Sequence, residues 1–180
     1  METTLKKIAY AFQKKRIVWG IGGSYLLKHY GLLSNVNDID IVVAKESIED
    51  ALGILDIYGI RRHVEDDPMF DSEVYISYSI EGIIIDVMCN IRVLFDEVIY
   101  SYSFSQEGIG EEVFIAGQKY PLMRLEDWYV LYYYMMRLER LEMIDRYVNH
   151  GHHFDFCRVA DLVENEAHKS EILNRLARTY

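Results

Sequence analysis

Residues 3–15 carry the apolar spacing of an amphipathic helix, with Thr3 or Thr4 placed to cap its start. The short apolar run Ile17-Val18-Trp19-Gly20-Ile21 predicts a buried strand that leads into a glycine turn. Residues 24–30 then read as a short helix closed by Gly31. Residues 38–44 predict a second strand. Ser47 is placed to cap a further helix, with Asp50 three residues on and Ile48, Leu52 and Leu55 as its apolar positions; Gly59 ends it. Residues 73–79 alternate cleanly, Val74, Ile76 and Tyr78 against Tyr75, Ser77 and Ser79, and Gly82 turns the chain into an antiparallel partner over 83–89. Residues 98–105 and 112–116 are weaker strand candidates.

After Pro121 the pattern changes. Residues 125–147 predict one long helix, with Leu131, Met135, Leu138 and Leu141 at helical spacing, interrupted by Gly151. Two shorter helices are expected over 155–164 and 168–178. The fold class is therefore α+β: a core over residues 1–120, then a helical segment over 121–180 packed on it, a size that suits one compact unit.

Composition narrows the picture. With 51% apolar residues in 180, the chain can build a substantial core and is not disordered. No apolar run approaches a bilayer span, and the N-terminus lacks the apolar stretch of a signal peptide, so the expectation is a cytoplasmic protein without a membrane. Cys89 and Cys157 lie among apolar or aromatic residues and are expected to be reduced and buried. The formal charge of −10 disfavours a large nucleic-acid substrate. Basic clusters are short, at Lys14-Lys15-Arg16, at Arg61-Arg62 and, interleaved with acids, from Arg137 to Arg146. A small cationic substrate or a protein acceptor suits this charge better.

Three features carry candidate chemistry. Gly22 and Gly23 let the backbone approach a ligand closely, and the helix start that follows favours an anion, with the Ser24 hydroxyl as a donor. Asp38 and Asp40 lie two apart on a strand and share a face, which makes a hard oxygen site suited to magnesium. Asp86 stands inside Ile83-Ile84-Ile85-Asp86-Val87-Met88, where an unpartnered acid is costly. Taken singly, the glycines make a tight turn and Asp38 a cap. Jointly the three favour a site. Neither the Walker phosphate loop nor the dinucleotide-binding fingerprint is present.

The segments Trp19-Gly20-Ile21-Gly22-Gly23-Ser24, Asn37-Asp38-Ile39-Asp40-Ile41-Val42-Val43 and Ile85-Asp86-Val87 resemble the nucleotidyltransferase superfamily that includes DNA polymerase beta. The resemblance covers about the first half of the chain. It implies a nucleotidyltransferase fold, a small mixed β-sheet flanked by helices. It also implies transfer of a nucleoside monophosphate from a triphosphate such as ATP to an acceptor hydroxyl, with pyrophosphate released. On this resemblance Gly22, Gly23 and Ser24 bind the triphosphate, and Asp38, Asp40 and Asp86 hold two magnesium ions. Asp86 also serves as the acceptor's base. The second half looks like the helical segment of the small-substrate and toxin–antitoxin branches, which often carry a basic residue there near the phosphates. Here the matching stretch, Trp128 to Met136, has none, and Lys28 and Arg137 are the candidates.

Tyr132, Tyr133 and Tyr134 cannot share one helical face and are expected to pack in a core or interface. His150, His152 and His153 with Asp155 meet no zinc spacing and read as a solvated loop. Two functional readings follow. One is a magnesium-dependent enzyme acting on a small molecule, a protein or an RNA. The other is a non-catalytic nucleotide- or partner-binding module, such as the antitoxin of a toxin–antitoxin pair.

Overall fold

The computed structural model describes residues 1–64, 70–115 and 117–177. Helix α1 (Glu2–Lys15) buries Leu5, Ile8, Ala9 and Phe12 against the sheet and ends on Arg16 in the left-handed region. No threonine caps it: Met1 precedes the first turn, and the Thr4 hydroxyl donates instead to Glu81 at 2.8 Å. Strand β1 (Trp19–Ile21) leads through Gly22 into α2 (Gly23–His29), which Gly31 closes with a positive φ of 73°. Next come β2 (Asp38–Val43), α3 (Ile48–Tyr58) and the short edge strand β3 (Ile60–Arg62). Ser47 precedes α3 but does not cap it through its side chain; its oxygen accepts the Val18 amide at 3.1 Å, tying this turn back to the approach to β1.

Strands β4 (Val74–Ile80) and β5 (Ile83–Cys89) form the expected hairpin, with Glu81 and Gly82 both at positive φ, as a tight two-residue turn requires. A separate hairpin, β6 (Ile91–Phe95) and β7 (Val98–Tyr102), is followed by β8 (Ile109–Ile115) and β9 (Gln118–Met123). The main sheet is mixed and seven-stranded, in the order β3-β4-β5-β2-β1-β9-β8. Strand β2 lies antiparallel to β1 and parallel to β5. Along β2 the burial changes character: Asp38 and Asp40 are partly open and alternate with buried Ile39, whereas Ile41 to Val43 are buried throughout. One end of the strand is thus a core element and the other a site.

The long helix expected over 125–147 is two helices. α4 (Leu125–Tyr134) ends at Met135, Met136 turns to a φ of 55°, and α5 (Leu138–Asn149) restarts after Arg137. No glycine or proline marks the break. Every residue of α4 is buried, so it serves as the central pillar of the helical layer. The remaining helices are α6 (Phe156–Leu162), capped by the Asp155 carboxylate, and α7 (Glu166–Ala177). The three tyrosines are buried as expected, with the Tyr133 hydroxyl donating to Glu171 at 2.6 Å and Tyr134 stacked on Tyr100. Cys89 is buried, but Cys157 is exposed, against the expectation of a buried pair: it falls on the outward side of α6. His152 stacks on Tyr147 with ring centroids 4.0 Å apart, and its loop is exposed.

Acids open α4, where the helix dipole favours them, and both are gripped. The Asp155 amide donates to Glu126 at 2.8 Å. Asp127, fully buried, accepts a bidentate pair from Arg158 at 2.9 and 2.8 Å and the Tyr102 hydroxyl at 2.6 Å. Among the described residues, no helix is long and apolar enough to cross a membrane.

Candidate active site

The glycine turn is held from both sides. The Gly22 amide donates to the Asp40 carbonyl at 3.0 Å, which fixes the turn to β2. A Cβ at Gly22 would fall 1.8 Å from Nε1 of Trp128, on α4. A Cβ at Gly23, whose φ is +55°, would fall 1.7 Å from Oδ2 of Asp40. Both glycines are therefore required by close approach, Gly23 also by its left-handed backbone. Gly22→Ala is expected to cost about 1–3 kcal/mol in chemical denaturation by displacing the Trp128 ring. In a Trp128→Ala background the same change should cost clearly less; equal cost in both backgrounds would mean that the ring is not what excludes the methyl.

Asp40 and Asp86 are register partners on the parallel strands β2 and β5, so their side chains leave the sheet side by side. Asp38 lies two residues back on the same face. The Ser24 hydroxyl donates to Oδ1 of Asp38 at 3.1 Å, and the Ser24 amide donates to Asp40. Asp40 opens only partly to the cleft and is otherwise surrounded by protein. Burial, followed by repulsion from Asp38 and Asp86, pushes its pKa up to about 7, against the opposing pull of the Ser24 amide and Arg137. Asp86 is also raised, chiefly by burial, with the Ser77 hydroxyl pulling the other way. Its Oδ1 is buried without a hydrogen-bond partner, and the Tyr75 hydroxyl stands 3.5 Å from Oδ2, too far for a strong bond.

Asp38 and Asp40 border a cavity of ≈ 490 Å³, and Asp86 is not among its described lining residues. Gly23, Ser24, Asp38 and Asp40 form one part of its lining. Trp128 and Tyr132 of α4, Met135, and Arg137 and Arg140 at the start of α5 form a second. Phe70, Tyr75, Met88 and Val93 form a third. The break between α4 and α5 is what brings Arg137 to the cavity. Gly22 lies beneath Trp128, next to the lining. Lys28 is exposed in the last turn of α2 and does not line the cavity. Of the two basic candidates, the structure places Arg137 near the acids. Trp128, Tyr75, Phe70, Met88 and Arg140 carry no site signal in the sequence, and Tyr132, expected only to pack, also lines the cavity. Trp128 has only a helix signal, in its place beside the two acids that open a helix.

The donor set fits a divalent cation. Three carboxylates stand on adjacent strands, one with a bare buried oxygen and one whose ionisation the other two oppose. Among the described residues, no three acid, histidine or cysteine side chains are gathered as a ready ligand array. The Asp40 carboxylate is instead turned to the glycine turn.

No family model matches the sequence, and no curated protein matches it. Solved structures do match. The class they define is the nucleotidyltransferase fold, and the chain has that fold. One match, provisionally assigned as a nucleotidyltransferase, is from Thermotoga maritima; it is 23% identical, with a TM-score of 0.62, over 82% of this chain and 92% of its own. A second is ANT(2'')-Ia in complex with adenylyl-2''-tobramycin, 15% identical, with a TM-score of 0.56 over 96% of this chain and 97% of its own. The solution structure of the antibiotic-resistance factor ANT(2'')-Ia matches with 16% identity and a TM-score of 0.56, over 98% and 92% of the two chains.

Proposed function

We propose that this chain is an enzyme, a magnesium-dependent nucleotidyltransferase that moves a nucleoside monophosphate from a triphosphate to a hydroxyl of a small molecule. The observation that carries the reading is the pairing of Asp40 with Asp86 across β2 and β5, directly beside the Gly22–Ser24 turn and at the edge of a ligand-sized cavity. ANT(2'')-Ia, seen with an adenylylated antibiotic, supports a small-molecule acceptor.

Asp38, Asp40 and Asp86 would hold the cation, which when bound supplies charge neutralisation at the triphosphate and a more acidic attacking hydroxyl. The chain's own residues do the rest. The Gly23–Ser24 turn seats the phosphates, and Arg137 and Arg140 balance their charge from the α5 side. Asp86, register partner of Asp40, takes the proton of the acceptor hydroxyl. The acceptor oxygen then forms its bond to the α-phosphorus. The bond from that phosphorus to the β-phosphate oxygen breaks, and pyrophosphate leaves with the electron pair. Trp128, packed on Gly22, keeps water from the back of the turn.

Calorimetry with ATP and GTP tests this. Magnesium-dependent binding is expected in the wild type and absent in Asp38→Ala/Asp40→Ala. Arg137→Ala should weaken it about tenfold, the loss of one charge-assisted contact. Binding that ignores magnesium and survives the double substitution would overturn the assignment.

A further inference from the structure

Resting on that reading, we propose that the chain nucleotidylates itself on the Tyr75 hydroxyl when no other acceptor occupies the cavity. A hydroxyl that gives its proton to a carboxylate must come within about 3 Å of it. The Tyr75 hydroxyl stands 3.5 Å from Oδ2 of Asp86. That is close to bonding distance, so a small rotation of the side chain closes the gap. The other Asp86 oxygen, Oδ1, is buried. Asp86 is not among the described residues that line the cavity, whereas Tyr75 is. Tyr75 is thus a side chain through which the cavity meets this carboxylate.

Strand geometry makes the contact. Tyr75 and Ser77 lie two apart on β4 and share a face, opposite Met88 and Asp86 on β5. Ser77 is the register partner of Asp86, but it is buried and is not among the described lining residues. The longer phenol reaches Asp86 diagonally while its ring borders the cavity. Phe70 meets that ring edge-on, with centroids 5.4 Å apart and planes at 76°. Among the described lining residues, Ser24, Tyr75 and Tyr132 carry hydroxyls. Ser24 donates its own to Asp38, and Tyr132 is buried on α4. Tyr75 is 38% exposed. The Gly23–Ser24 turn borders the same cavity, so a triphosphate seated there shares one space with the phenol. Holding both on one chain turns a bimolecular encounter into an internal step.

The Tyr75 oxygen forms its bond to the α-phosphorus, and its proton goes to Asp86. The bond from that phosphorus to the bridging oxygen of the β-phosphate breaks, and pyrophosphate leaves with the electron pair. Asp86 then returns the proton to water. The product is a phosphodiester of tyrosine. Its nucleotide fills the cavity, so each chain is modified once, and a small-molecule acceptor competes with Tyr75 for the place beside Asp86.

Intact-mass spectrometry of the full chain, incubated with magnesium and ATP and no acceptor, tests this. A gain of one adenylyl group per chain is expected. Peptide mapping of the wild type should place it on Tyr75, with label retained from the α-phosphate of ATP and lost from the γ-phosphate. Tyr75→Phe should abolish the gain, and Asp86→Asn should slow it about a hundredfold. Its half-time should not change when the protein is diluted about tenfold, as an internal step requires. ATP binding with magnesium, titrated in the same samples, separates the two readings. A gain mapped to another residue, a gain that slows on dilution, or no gain with ATP binding kept overturns the self-modification alone. Neither gain nor ATP binding, or a retained γ-label, overturns the transferase reading as well.

Discussion

Asp40→Asn is expected to lower turnover by about a thousandfold or more while making the metal-free protein more stable at pH 8. The two effects have one origin. Asp40 is held in a site where burial and two neighbouring carboxylates oppose its charge, and its pKa rises from 3.8 in the unfolded chain to about 7. Between those values the folded protein binds the extra proton, so stability falls as pH rises through this window and stays low above it. An amide removes that dependence. The shift caps the gain at about 4 kcal/mol above pH 7, with no gain expected below pH 4. Urea denaturation at pH 4 and pH 8 with a chelator measures the stability effect, and pyrophosphate release measures turnover. Magnesium should shrink the gap by stabilising the wild type alone. Retained turnover in Asp40→Asn would remove Asp40 from the cation site. A variant no more stable than wild type at pH 8 would mean that the strand ends are not electrostatically strained.

The same residue shows why much of the candidate site was legible in sequence. Two acids, at the first and third positions of a strand whose other residues are isoleucine and valine, have one reasonable placement, on the open face. Two glycines before a helix signal a close approach, and here both sides of that approach, Asp40 and Trp128, are visible. The register that sets Asp86 beside Asp40 follows from a parallel pairing between β2 and β5, which needs long-range contacts that no local pattern encodes. The break at residues 135–137 was illegible for a different reason. Met135, Met136 and Arg137 are ordinary helix residues, and Met136 takes a φ of 55° where the amides of Met136 and Arg137 close the helix on the Tyr133 and Tyr132 carbonyls. Arg137 reaches the cavity through that break, so it could be named from sequence but not placed. The β6–β7 hairpin was half seen, as residues 98–105, because its turn uses Asp96 and Glu97 at positive φ where glycine or asparagine would have advertised it.

Arg158→Ala is expected to destabilise the protein by about 3 kcal/mol, because it removes both guanidinium contacts from the buried Asp127 carboxylate and leaves it, among the described side chains, the Tyr102 hydroxyl. Most surface pairs contribute far less. This one differs in geometry and burial: both guanidinium contacts lie below 3 Å, the carboxylate is fully buried, and the three partners come from α4, α6 and β7. Asp127 also stands one residue before Trp128, whose ring covers Gly22. The ion pair thus positions the pillar helix over the glycine turn, and its loss should weaken ATP binding although Arg158 does not line the cavity. Adding Asp127→Asn to Arg158→Ala removes the stranded charge while keeping an acceptor for Tyr102, and should recover part of the stability. Urea midpoints at constant m-value, with ATP titrations alongside, measure both effects. A loss below about 1 kcal/mol, the range of exposed pairs, would show that apolar packing alone holds α4 in place. If the double variant were less stable than Arg158→Ala, the damage would come from the missing arginine stem and not from the uncompensated carboxylate.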